Sequence, residues 1–237
     1  MQAVRERARQ RLTSRFYHIQ LQALAPDQSN QLFHALLTIP ELPEALRDGI
    51  IQRSAGSPFY LEEILRMLIE NNVIRQDGIH WRLTPGADPS TIGVPETLQG
   101  LILTRFDRLP AIQRRVLQTA AVIGYQFNAD VLRTVLTPMP EAEVSSSLDW
   151  LLEREFIRPD AASYDAEFTF KHVLVSDAVY STLLKSERHD VHSRVAEVIE
   201  NLYAGRFEAQ IELLASHYLR SSHPDRALHY LILAGEK

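Results

Sequence analysis

The chain of 237 residues contains no cysteine. Disulfides, thiolate metal ligands and cysteine nucleophiles are thereby excluded, and a reducing compartment, the cytoplasm, is the expected location. Long hydrophobic runs are missing too. None approaches the ~18 residues of a membrane span, and the start, with Arg5, Arg7, Arg9 and Arg11 among polar residues, lacks the apolar stretch of a signal peptide. No membrane partner is expected. Positive charge is in short supply, with 25 Lys and Arg against 30 Asp and Glu and a net charge of -5. Gripping nucleic acid depends largely on neutralising phosphates, so duplex DNA is not an expected partner. Two further absences concern chemistry. There is no Gly-x-x-x-x-Gly-Lys-Ser/Thr loop to cradle phosphates, and no strand ending in paired acidic residues to hold magnesium. This chain alone is therefore not expected to be an enzyme that hydrolyses ATP, and no cofactor is assigned to it.

What is present is ordinary globular material, 45% hydrophobic and 23% charged, long enough for two or three small domains. Residues 16–24 alternate apolar and polar with period two, which predicts a strand. Helical spacing follows, first at Leu32, Phe33, Leu36 and Leu37 and again over 44–53 and 60–71. Residues 73–83 read as a hairpin about Asp77-Gly78. The proline- and glycine-rich stretch 84–95 is the best internal linker. Beyond it, helices are expected over 96–107, 111–123, 128–136 and 141–155, then short strands at 156–157 and 168–170. Helix, helix, helix and two-stranded wing is the winged-helix order. Four more helices are expected over 174–185, 187–204, 208–220 and 225–235. The last two, with Ala215, Tyr218, Ala227, Tyr230, Leu231 and Ala234, are similar to the opening of a tetratricopeptide array. The fold class is thus mainly α.

Two segments stand out. In Gly56-Ser57-Pro58-Phe59-Tyr60-Leu61-Glu62-Glu63, glycine allows a tight corner and proline suits a first helical turn. On three residues this is a helix–loop–helix corner. The longer string resembles the Gly-x-Pro-Phe-Phe-Leu-Glu-Glu motif of STAND-class signalling ATPases, which are related to the regulatory halves of bacterial adenylyl cyclases and large transcriptional activators. The resemblance implies that Pro58 packs against the adenine of a bound nucleotide and that Gly56 allows the approach. In the second segment, Lys171-His172-Val173-Leu174-Val175, a lone histidine before a helix reads as a structural cap. The segment also resembles the Met-His-Asp stretch in the winged-helix domain of those ATPases, which implies that His172 contacts the β-phosphate of ADP. Val173 stands where that pattern has aspartate, so the neighbouring hydrogen-bond network is not carried over.

Taken with the resemblance, residues 1–25 are expected to be the last strand of an upstream NTPase core. Residues 26–95 would form a helical lid subdomain, 96–173 a winged helix, and 174–237 a helical region leading into repeats. The expected function is a nucleotide-sensing switch that couples ADP and ATP states, with magnesium in the longer parent, to an output domain. Its partners would be the upstream core, the downstream repeats and other proteins. Two other readings are a DNA-binding winged-helix regulator and a helical scaffold. The helix over 141–155 would have to read DNA, but Glu141, Glu143, Asp149, Glu153 and Glu155 outweigh Arg154. His189 and His192, three apart, have no third ligand spaced with them, so no metal is assigned. Ser176 and Asp177 beside His172 lack the glycine-flanked elbow of a hydrolase nucleophile.

Overall fold

The computed structural model describes residues 20–39, 42–78, 80–87, 93–160, 167–204 and 210–235. The chain divides into two compact units, Met1–Val94 and Pro95–Lys237. Both are mainly helical, with small antiparallel sheets, and among the described residues no helix is long and apolar enough to cross a membrane.

The first unit holds α1 (Pro26–Leu36), α2 (Glu44–Ser54) and α3 (Pro58–Glu70), then the hairpin of β1 (Ile74–Asp77) and β2 (His80–Leu83). Proline opens α1 and α3, where its missing N–H costs nothing. The Gln28 side chain accepts from the Ala25 N–H at 2.9 Å, closing the first turn of α1. Leu61, Ile64, Leu65 and Leu68 place a continuous apolar stripe along α3, and all four are buried with Phe33 and Ile50. Asn72, at φ 56°, ends α3 and turns the chain so that Ile74, also buried, runs back antiparallel to Leu83. The strand expected over 16–24 is not formed at residues 20–24, where the backbone joins no sheet; residues 16–19 lie outside the described residues. Leu24 instead gives its N–H to the Gly56 carbonyl at 2.8 Å. The period-two pattern had no strand to pair with there, and alternation alone does not make a sheet.

The second unit begins with α4 (Leu98–Asp107) and α5 (Ala111–Ile123). These lead to β3 (Gln126–Asn128), α6 (Ala129–Leu136), α7 (Glu141–Glu153), β4 (Ile157–Pro159) and β5 (Glu167–Phe170). The three strands form one antiparallel sheet in the order β3-β5-β4. This is the winged-helix connectivity, with a third strand that the two-stranded expectation lacked. Asn128 ends β3 and caps α6 through its side-chain oxygen, which accepts from Asp130 and Val131 N–H at 2.8 and 3.2 Å. Val116, Leu117, Leu132, Val144 and Phe170 are fully enclosed between helices and sheet. Arg105, though charged, is buried. It donates to the Arg154 carbonyl at 2.9 Å and lies 4.5 Å from the centre of the Phe156 ring, fixing α4 to the end of α7.

Four further helices complete this unit: α8 (Val173–Ser181), α9 (Lys185–Leu202), α10 (Ile211–Leu219) and α11 (Pro224–Gly235). Glu200 of α9 accepts from the Tyr218 hydroxyl at 2.6 Å, the Tyr230 hydroxyl at 2.5 Å and the Arg226 guanidinium at 2.5 Å, tying α9, α10 and α11 together. The Tyr218 and Tyr230 rings stack 5.4 Å apart. Burial works against ionising Glu200, but the two hydroxyls and the guanidinium outweigh it and hold the carboxyl below its ordinary value. Burial and the Glu200 hydrogen bond push the Tyr218 hydroxyl up to about 12.

A carboxyl whose folded value is depressed stabilises the fold above its ordinary range, and that contribution is lost as pH falls through the lower folded value. Glu200→Ala should cost roughly 1–3 kcal/mol in denaturant unfolding near neutral pH, because buried Tyr218 loses its charged acceptor. The difference from the unaltered protein should narrow in acid; a pH-independent difference would argue that the loss is one of packing.

Candidate functional site

Gly56 closes the corner between α2 and α3 in the first unit. Ala55 and Gly56 both have positive φ, 48° and 73°, which stops α2 and reverses the chain. A Cβ on Gly56 would lie 2.4 Å from the Leu24 carbonyl oxygen and 2.8 Å from its nitrogen. The close approach that this glycine permits is therefore that of the backbone before α1. The Ser57 side chain caps α3 by accepting from Tyr60 N–H at 3.3 Å, and Pro58 follows at the first helical position with its ring exposed. An exposed pyrrolidine on a helix N-terminus is a rigid apolar surface against which a planar ring can pack.

Beside Gly56 lies a cleft of about 570 Å³, bordered by Leu24, Asp27, Asn30, Asp48 and Gln52. The Asn30 side-chain oxygen is buried without a hydrogen-bond partner. None of these polar residues is marked by the sequence: they lie on α1 and α2, Asn30 half-buried and the others exposed, and only the packing of the two helices gathers them.

His172 lies in the second unit, between β5 and α8. Its ring caps the helix, with Nδ1 accepting from Leu174 N–H at 3.2 Å. An accepting Nδ1 puts the proton of the neutral ring on Nε2. The structural cap expected of a lone histidine and a donor nitrogen at a helix N-terminus thus coexist in one ring, at an end where the helix dipole favours an anion. Lys171 pairs with Glu155, and its N–H bonds the Phe156 carbonyl at 3.0 Å, so the segment before the cap is held on both sides. Val173 and Leu174, next to the cap, are exposed. Gly56 and Pro58 are neighbours on one corner, whereas His172 belongs to the other compact unit.

No protein-family model matches the chain. It is 25% identical over 204 residues to an uncharacterized protein of Rhizobium meliloti (strain 1021). The match covers 86% of this chain and 19% of that protein, so the chain spans about a fifth of the length of its curated relative.

The remaining candidates resolve differently. Ser176 is buried within α8, away from any elbow that could present a nucleophile. His192 turns into the interior, its ring bonded to Tyr180 and His217. Among the described residues no group of three or more His, Asp or Glu could hold a metal ion. Helix α7 buries Val144, Ser147, Leu148 and Leu151, carries Glu141, Glu143, Asp149 and Glu153, and has no basic residue within its span. Trp150 is covered by the Arg154 guanidinium at 3.7 Å.

Gly56→Ala should destabilise the first unit by roughly 1–3 kcal/mol or more, since it combines positive φ with a backbone collision. Chemical denaturation of the variant should show that loss; an unchanged midpoint would mean that residues 23–24 are free to move aside.

Proposed function

We propose that this chain is the nucleotide-sensing switch part of a STAND-type signalling ATPase. It would contribute a helical lid, a winged helix and the opening of a helical sensor. The observation that carries the reading is the His172 ring, whose Nδ1 is committed to capping α8 while Nε2 bears the ring proton. A phosphate oxygen that met Nε2 would leave the cap on α8 in place. The exposed Pro58 ring on the N-terminus of α3 suits the adenine face. ADP, when bound by the longer protein, would supply a phosphate anion and a flat base. His172 would hold the former through Nε2–H, and Pro58 would border the latter.

An upstream core would supply the phosphate-binding loop and magnesium, and this chain would respond to the nucleotide by changing its contacts with that core and with downstream repeats. The output domain, whether a nucleotide cyclase or a transcriptional activator, would lie elsewhere in the polypeptide. The much greater length of the Rhizobium meliloti protein supports a multidomain setting. The acidic outer surface of α7 weighs against the alternative of a DNA-reading winged helix, because a phosphate duplex would be repelled.

Calorimetric titration with ADP and with ATP tests the reading on this chain and on one extended upstream through the phosphate-binding loop. Binding by the extended chain alone is the expected result; binding by neither would overturn it. Two substitutions separate sensing from capping. His172→Asn keeps a side-chain acceptor at the cap, whereas His172→Ala removes it and should cost about 0.5–2 kcal/mol of stability. In the extended chain both should speed ADP release, and only the alanine should also lower the unfolding midpoint. Release unchanged by asparagine would leave His172 a cap and nothing more.

A further inference from the structure

Two histidines from different helices share one buried site in the second unit. His192 of α9 and His217 of α10 are each only 3% exposed, and their Nδ1 atoms are 2.8 Å apart. A neutral imidazole has a single N–H, so this contact requires one ring to carry its proton on Nδ1 and the other on Nε2. The neighbours decide which. The Tyr180 hydroxyl of α8 lies 3.0 Å from His192 Nε2, and the backbone of Ile123, the last residue of α5, acts on His217 in the sense that favours a proton on the ring. A carbonyl at a helix C-terminus accepts and does not donate. One assignment satisfies every group. Tyr180 O–H donates to His192 Nε2, His192 Nδ1–H donates to His217 Nδ1, and His217 Nε2–H donates to the Ile123 carbonyl. The reverse assignment would point a bare ring nitrogen at the Ile123 oxygen.

We propose that this chain of hydrogen bonds is an acid-released clasp that holds α9 and α10 against α8 and α5. The clasp has room for one proton between the rings. A single added proton would go to His192 Nε2, turning the Tyr180 hydroxyl from donor to acceptor and leaving a cation in a buried site; protonation of both rings would set two N–H groups against each other at 2.8 Å, and the rings would have to part. Among the described residues, no acidic group acts on either ring to compensate the added charge. The charged and titratable groups acting on His192 are His217, Arg220, His189 and Arg188, all cationic or neutral. Arg220 acts likewise on His217, α8 presents a neutral tyrosine, and α5 presents its backbone. Burial first, and then these neighbours, lower His192 to about 3; burial and Arg220 lower His217 to about 4. The unfolded rings, at 6.5, take up protons that the folded rings refuse. Stability conferred by the closed clasp is therefore complete above that value and is lost progressively as pH falls from it toward about 4 for His217 and about 3 for His192. The helix held by Tyr180 is the one that begins at His172, but the clasp stands on its own geometry and needs no nucleotide.

Nitrogen-15 NMR of the whole chain at neutral pH tests the geometry directly. The His192 proton is expected on Nδ1 and the His217 proton on Nε2; the opposite pair, or rapid averaging of both rings, would overturn the proposal. Amide hydrogen exchange tests the release. Between about pH 7 and about pH 5, protection in α9 and α10 should fall at least tenfold more than in α7, since each ring alone can contribute roughly that much. Replacing both rings at once, with His192→Phe and His217→Phe, should abolish the differential loss, whereas an equal loss in the doubly substituted chain would overturn the clasp. If that chain does not fold, the ring titrations of the unaltered protein decide. Rings that protonate near 6.5 with α9 and α10 still protected would overturn it, and rings that stay neutral until protection is lost would bear it out.

Discussion

The second unit depends on one helix being apolar on almost every side of its C-terminal half. From Val116 to Ile123, only Gln118 of α5 escapes burial, and its amide is spent on the Thr182 hydroxyl at 2.9 Å. An amphipathic helix can cover a single neighbour; a helix buried all round must be enclosed, and α6, α7, α8, α9 and β3 all pack on it. The winged helix and the helices that follow are consequently parts of one core. The backbone of Ile123, the last residue of α5, acts on the His217 ring of α10.

Several polar side chains of this unit join elements remote in sequence. Arg105 reaches the end of α7, Gln118 reaches the end of α8, and Glu200 gathers two tyrosines and an arginine from α10 and α11. A carboxylate accepting three donors has little freedom to slide, so the network sets the register of three helices more sharply than apolar packing would. The stacked Tyr218 and Tyr230 rings then supply the area that the charge pattern positions.

Most helices were legible because their signals are local. Pro26 and Pro58 at first turns and the stripe from Leu61 to Leu68 each lie within a dozen residues. What escaped the sequence is what depends on distance. Strand β3 is three residues long, too short for alternation to register, and exists because β5 pairs with it across some forty intervening positions. The strand expected near residue 20 failed in the opposite way, a pattern without a partner. At the candidate site, Gly56, Pro58 and the cap at His172 were readable. That Leu24 fills the space beside Gly56, and that His192 meets His217, was not, since spacing along the chain says nothing of which helices face each other.

The corner at Gly56 carries an asymmetry of its own. What occupies the place of a side chain there is peptide nitrogen and oxygen of residue 24, atoms that every amino acid except proline would present alike. Residue 24 can therefore be exchanged widely without disturbing the corner, while the position it touches accepts no replacement. In a saturation-mutagenesis map the two halves of a single contact would look unrelated, one column permissive and the other nearly blank, and an inference of proximity from matched tolerance would miss the pair altogether.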